Sequence, residues 1–403
     1  MVDMSYVDVF LSPSTRQYIS NNTMQTKPSV LSWSGTLGTE SIGRLLHQFS
    51  TSFWRPDIWL LDGMTWEDMQ PSEKLRYPEF SDVWVYPLLF SAVFICLRYF
   101  FAEPLVLNPL AKWVGMTQVR PNPPVPSKVL EGVYQAHGTT PPAPVLQEAS
   151  QETDLTKRQV ERWLRRRKAF MKPTKYDKFM DCGFNFICHS VFCVYGCLIM
   201  YGKSWLWDIK LCWTDYPNHA IDDDVWWYYM VLLSYFWAES FMLIPATGRK
   251  PSDKVQTLCH HFFTVLLMVF SWTCNFVRIG TLVLLVHECA DIPLLAAKMH
   301  VYAGIKDRIE ILFGTFLVLW LVTRCYLFPF WIMHSIFTHP TPYLGMPAAY
   351  FLKALICGLF VLNAIWTYLI GAILVRKLCG GVLEDLRSDA EDSSDQDISR
   401  KTD

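Results

Sequence analysis

The stretch Leu258-Cys259-His260-His261-Phe262-Phe263-Thr264-Val265-Leu266-Leu267 sets two adjacent histidines inside an apolar run extending from Gln256 to Cys274. A helix of about 20 mostly apolar residues crosses a bilayer. Ionisable residues in such a span are costly, and they face a bundle interior or a watery cavity rather than lipid. The stretch therefore predicts a membrane helix packed inside a bundle, with its histidines turned toward a cavity. Neighbouring positions lie about 100° apart around a helix, so His260 and His261 must face different surroundings.

The rest of the chain agrees with a membrane reading. Of 403 residues, 51% are hydrophobic and only 18% charged, with 17 Trp, 18 Tyr and 26 Phe. This balance favours an all-α, polytopic membrane protein over a string of soluble domains. Seven segments are long and apolar enough to span, at about 83–102, 180–200, 225–246, 256–274, 279–297, 309–333 and 348–375. The net charge of −1 excludes nothing, but its distribution sets an orientation. Lys157, Arg158, Arg162, Arg165, Arg166, Arg167 and Lys168 follow the first span, and Arg249, Lys250 and Lys254 follow the third. Lys298, Lys306 and Arg308 follow the fifth, and Arg376 and Lys377 the seventh. The alternate loops are acidic or neutral, as with Asp215, Asp222, Asp223 and Asp224. Basic loops stay cytosolic, which predicts a lumenal N-terminus and a cytosolic C-terminus.

Five regions follow: a lumenal segment 1–80, a first transmembrane anchor 81–104, a cytosolic segment 105–175, a transmembrane domain 176–378 and a tail 379–403. The polar N-terminal region carries no cleavable signal pattern, so the first span is expected to act as signal anchor. Asn21-Asn22-Thr23 is a glycosylation sequon on the predicted lumenal side. The cytosolic segment opens with Pro121, Pro123, Pro124 and Pro126, a linker composition. The tail is acidic and Ser-rich, and Ser388 and Ser394 each precede an acidic residue by three positions, as acidophilic kinases favour. Twelve cysteines form no C-x-x-C pair, and most lie in apolar runs, which reads as small buried side chains.

A second ionisable group, His287-Glu288-Cys289-Ala290-Asp291, lies in the fifth span. On a continuous helix His287 and Asp291 share a face, and the carboxylate would accept the imidazole N–H. Such a set is richer than polar glue between helices requires. H-E-x-x-D resembles a zincin motif with its second His replaced, and no H-x-x-H-H box is present, so metal chemistry is the weaker reading. Histidine acting as base or nucleophile in acyl transfer, with no metal, fits better.

The run from Asp253 to Leu282, with V-H-E-C-A-D-I-P-L-L-A-A-K-M-H-V-Y after it, strongly resembles the Lag1 motif of ceramide synthases, TLC-domain acyltransferases of the endoplasmic reticulum membrane. The resemblance extends to Trp226-Trp227-Tyr228-Tyr229, to Phe328-Pro329-Phe330-Trp331 and to Leu386-Arg387-Ser388-Asp389. It implies an N-terminal anchor followed by a six-helix TLC bundle, and acyl-CoA-dependent N-acylation of a sphingoid base without a cofactor. His260, His261, His287, Glu288 and Asp291 take the catalytic positions; Asn275, Arg278, Lys298, Trp227 and Tyr228 take substrate-binding ones. The partners implied are long-chain acyl-CoA, the sphingoid base, membrane lipids and a second synthase subunit. A lipid sensor whose histidines merely line a pocket is the non-catalytic alternative.

The sequence departs from the family pattern in three places. Glu288 stands where an Asp is usual, Asn363 where a His is common, and Pro251-Ser252-Asp253-Lys254 replaces R-K-D-F. The basic stretch Thr156–Lys168 resembles the third helix of a homeodomain. The adenine-reading asparagine falls at Arg166, so DNA recognition is not expected, and contact with phospholipid or acyl-CoA phosphates is favoured. The loop from His334 to Pro347 corresponds to the region associated with acyl-chain-length choice.

Overall fold

The computed structural model describes residues 36–70, 76–244, 251–339 and 345–379. Asn21, Ser388, Ser394 and residues 340–344 of the loop that begins at His334 lie outside them. The described residues form helices and turns: α1 (Thr36–Phe53), α2 (Phe80–Trp113), α3 (Lys128–His137), α4 (Ala143–Glu152), α5 (Lys157–Met171) and α6 (Lys175–Tyr201) come first. They are followed by α7 (Asp223–Leu243), α8 (Pro251–Thr273), α9 (Val277–Glu288), α10 (Asp291–Ala303), α11 (Ile309–Thr338) and α12 (Pro347–Leu378).

Six stretches are long and apolar enough to cross a membrane: those of α2, α6, α8, α9 with α10, α11 and α12. The protein is therefore a multi-pass membrane protein. The remaining expected span, 225–246, is the 21-residue helix α7, whose Trp- and Tyr-rich sequence keeps it out of that set. At about 1.5 Å per residue it still measures about 31 Å. Its Val225, Tyr228, Tyr229, Met230, Leu232, Leu233, Tyr235 and Ala238 are all buried, so it is a central post rather than a lipid-facing helix. The outer helices show the opposite pattern, with Phe100, Leu105, Leu198, Ile311 and Tyr368 exposed to what would be lipid.

Two helices widen from α- to π-type winding, over Leu97–Leu107 in α2 and Leu321–Met333 in α11, each around an internal proline (Pro104 and Pro329). Proline removes a backbone donor and clashes with the preceding turn, which a wider winding relieves. Each wide stretch carries a buried arginine, Arg98 and Arg324. Such windings cluster at functional sites.

The end of the bundle carrying residues 205–222 is pinned by aromatic donors. Trp205 Nε1 donates to Thr281 Oγ1 (3.2 Å), Trp213 Nε1 to Ser335 Oγ (2.8 Å) and the Tyr216 hydroxyl to the Cys274 carbonyl (2.7 Å). Lys203 bridges Asp222 and Asp224; burial opposes its charge, but the two carboxylates win and hold its ammonium above the ordinary lysine value. At the opposite end α3, α4 and α5 form a small unit with its own core of Leu130, Ala149, Val160, Trp163 and Leu164. Thr156 starts α5 with a capping box to Gln159, and Arg158, Arg162, Arg165 and Arg166 remain exposed along it.

Candidate active site between two cavities

α8 brings His260 and His261 to the bundle interior, on different sides, as the helical angle requires. The His261 Nδ1 lies 3.2 Å from Ser240 Oγ of α7, and its ring packs on Phe236. His260 packs against Trp366 of α12, with ring centroids 5.2 Å apart, and its buried Nδ1 has no hydrogen-bond partner. A buried ring nitrogen without a partner costs free energy until a bound group meets it.

Two cavities meet at this point. An apolar one runs from Trp213, Phe276, Ala349 and Lys353 down to His189, His260, His287 and Glu288. A more polar one opens toward the basic end, past Arg98, Asp181, Glu239, His261 and Lys298. His189, His260, Asp291, Arg324 and Phe236 line both. A molecule with an aliphatic tail and a polar head can lie across the junction with its functional group at His260.

The fifth-span group is arranged differently from the sequence expectation. α9 ends at Glu288 and α10 begins at Asp291, so Cys289 and Ala290 interrupt the helix. Proline fits a first turn, and Pro293 occupies that place in α10. The Asp291 carboxylate does not take the His287 ring N–H. The His287 Nδ1–H donates instead to the Val283 carbonyl at 2.7 Å, and its Nε2 accepts from Asn363 Nδ2 at 3.2 Å. Asp291 accepts from Arg324 at 3.2 Å, and the same guanidinium donates to the His287 carbonyl and, at 3.4 Å, to Asn363 Oδ1. Arg324 thus ties α9, α10 and α12 to α11.

Glu288 is almost fully buried and reaches His189 of α6, with Oε2 2.6 Å from Nδ1. The His189 Nε2 faces the Tyr235 hydroxyl at 3.2 Å. His189, Arg324, Arg98, Asp181 and Glu239 were all passed over in the sequence, although each is an ionisable residue within an apolar helix. Arg98 is held by Glu103 at 2.9 Å and by Asp181.

The expected substrate-binding residues divide. Lys298 lines the polar cavity. Trp227 is half exposed and stacks on Phe90, and Tyr228 is buried behind Gly196, so neither lines the two cavities; Tyr229, Tyr235 and Phe236 of the same helix do. Asn275 adopts a left-handed turn (φ 55°) between α8 and α9, and its amide donates to the carbonyls of Pro217 and His219 at 2.8 and 2.9 Å. Arg278 donates to the Leu211 carbonyl at 2.7 Å and packs over Trp205. Both bind the backbone of the 205–222 segment and roof the apolar cavity rather than line it. The cysteines remain free, and Cys193 and Cys289 bring their sulfurs to 3.4 Å beside Glu288.

Residues 178–371 match the TLC domain family. Ceramide synthase 3 of Mus musculus is 32% identical over 86% of this chain and 90% of its own length. Ceramide synthase 3 of Homo sapiens is 33% identical over 85% and 89%, and ceramide synthase 5 of Homo sapiens 30% over 85% and 88%. With a TLC domain across the bundle and this similarity along most of its length, the chain belongs to the ceramide synthase family.

Proposed function

We propose that the protein transfers the fatty acyl group of a long-chain acyl-CoA to the amine of a sphingoid base, giving ceramide or dihydroceramide. The observation that carries this reading is the junction of an apolar and a polar cavity at His260. The acyl chain lies in the apolar cavity and the CoA moiety leaves through the polar one, toward the basic end. By the distribution of Lys and Arg that end is cytosolic, where acyl-CoA is available. The membrane is that of the endoplasmic reticulum, with the N-terminus lumenal. His260 is the acyl-accepting group: its Nδ1 is unpartnered and it stands in both cavities. Attack of the ring nitrogen on the thioester carbonyl forms an acyl-imidazole and releases the CoA thiolate, and the amine then displaces the imidazole. No metal takes part, so chelators are expected to leave the activity unchanged.

Microsomes containing the protein, supplied with sphinganine and a series of acyl-CoAs, are expected to form N-acylated product above an empty-vector control. No product at any chain length would sink the enzyme and leave a lipid sensor. Ala349 is buried at the far end of the apolar cavity. Ala349→Phe fills that end and is expected to move the chain-length optimum toward shorter acyl groups, read by mass spectrometry with mixed acyl-CoAs. An unchanged profile would place the acyl chain elsewhere.

A further inference from the structure

We propose that His189, held by Glu288, is the general base that takes the proton from the sphingoid ammonium. This rests on the acyl-transfer reading and adds the group that reading leaves unassigned. Three histidines line the apolar cavity: His189, His260 and His287. Of these, His189 is the one with a carboxylate at hydrogen-bond distance, Glu288 Oε2 at 2.6 Å. His287 is committed to the Val283 carbonyl and the Asn363 amide. A carboxylate on Nδ1 fixes the tautomer, leaves Nε2 as acceptor and stabilises the imidazolium once a proton arrives.

The placement fits the chemistry. His189 lines both cavities, so its Nε2 can meet an amine at the junction. Its present partner there, the Tyr235 hydroxyl at 3.2 Å, is a loose contact that a charged ammonium can displace. Glu239, Asn185 and Asp181 line the polar cavity beyond it and offer a route by which the proton leaves toward the basic end.

The ammonium gives one proton to His189 Nε2, and the freed lone pair attacks the acyl carbonyl carbon. The C–N bond forms, the bond from that carbon to the leaving imidazole breaks, and the leaving group takes the second proton of the amine. His189 then releases its proton, and the neutral imidazole beside the Glu288 carboxylate is restored. Glu288 is a positioning residue in this scheme. Its extra methylene relative to Asp lets it span to α6, so Glu288→Asp withdraws the carboxylate and is expected to lower activity, not raise it.

The test uses the full-length protein in microsomes, with wild type, His189→Gln, Glu288→Gln and Glu288→Asp. For His189→Gln we expect kcat for sphinganine to fall by about 10²- to 10⁴-fold, the usual contribution of a general base, with KM for acyl-CoA within a few-fold of wild type. The deciding readout is a sphinganine analogue fluorinated beside the amine, which is less basic and arrives largely neutral. His189→Gln should lose far less activity on it than on sphinganine, and Glu288→Gln should follow the same pattern more weakly. Equal losses on the two amines, a parallel rise in KM for acyl-CoA, or activity within threefold of wild type would each overturn the proposal while leaving the acyl-transfer reading standing. A wild type that forms no ceramide would overturn both.

Discussion

His260→Ala is expected to lower ceramide formation by about 10³-fold or more, as loss of a covalent nucleophile does. His261→Ala should cost roughly 10- to 100-fold, the scale of a misplaced substrate. The asymmetry follows from the two surroundings. His260 stands at the junction of both cavities with a free ring nitrogen, whereas His261 lines the polar cavity alone and is held against Ser240. Both variants retain the apolar surface of α8, so insertion and expression should match wild type. Rates measured in microsomes normalised to protein level check the pair. Near-normal activity of His260→Ala beside an inactive His261→Ala would reverse the assignment.

Much of this arrangement was legible one residue at a time. The cost of burying a histidine in an apolar span is a local fact, and it placed His260 and His261 in the interior. The same rule applied to Arg98, His189, Glu239 and Arg324, each a lone ionisable residue in an apolar helix, and would have found them. Their partners were another matter. His189 and Glu288 are 99 residues apart, and their contact depends on how α6 packs against α9. No spacing rule carries that information.

The pairing of His287 with Asp291 shows where a local rule fails. The i, i+4 relation places two side chains on one face but does not decide which partner each takes. Here the ring N–H goes to the Val283 carbonyl one turn back, and the carboxylate to Arg324 of a neighbouring helix. For α7 the apolar run predicted a span, but its many buried aromatics reflect packing around most of the helix, with Trp227 and Phe241 left exposed, which periodicity alone does not reveal.

Arg324→Met is expected to destabilise the bundle by about 3–5 kcal/mol, the cost of breaking a buried ion pair. Arg324 is nearly inaccessible and joins the Asp291 carboxylate, the His287 carbonyl and Asn363 across four helices. Its removal strands the carboxylate and leaves the buried Asn363 oxygen short of a donor. In detergent, thermal unfolding should shift down by about 10 °C on the usual scaling for domains of this size. Arg324→Lys should not restore it, since a compact tetrahedral ammonium does not match acceptors spread over the two ends of a planar guanidinium fork. Adding Asp291→Asn to Arg324→Met should recover part of the loss, because the neutral pair leaves no stranded charge. That recovery separates the ion pair from simple packing: if the double variant is as unstable as the sum of the two singles, the carboxylate is not what Arg324 holds in place.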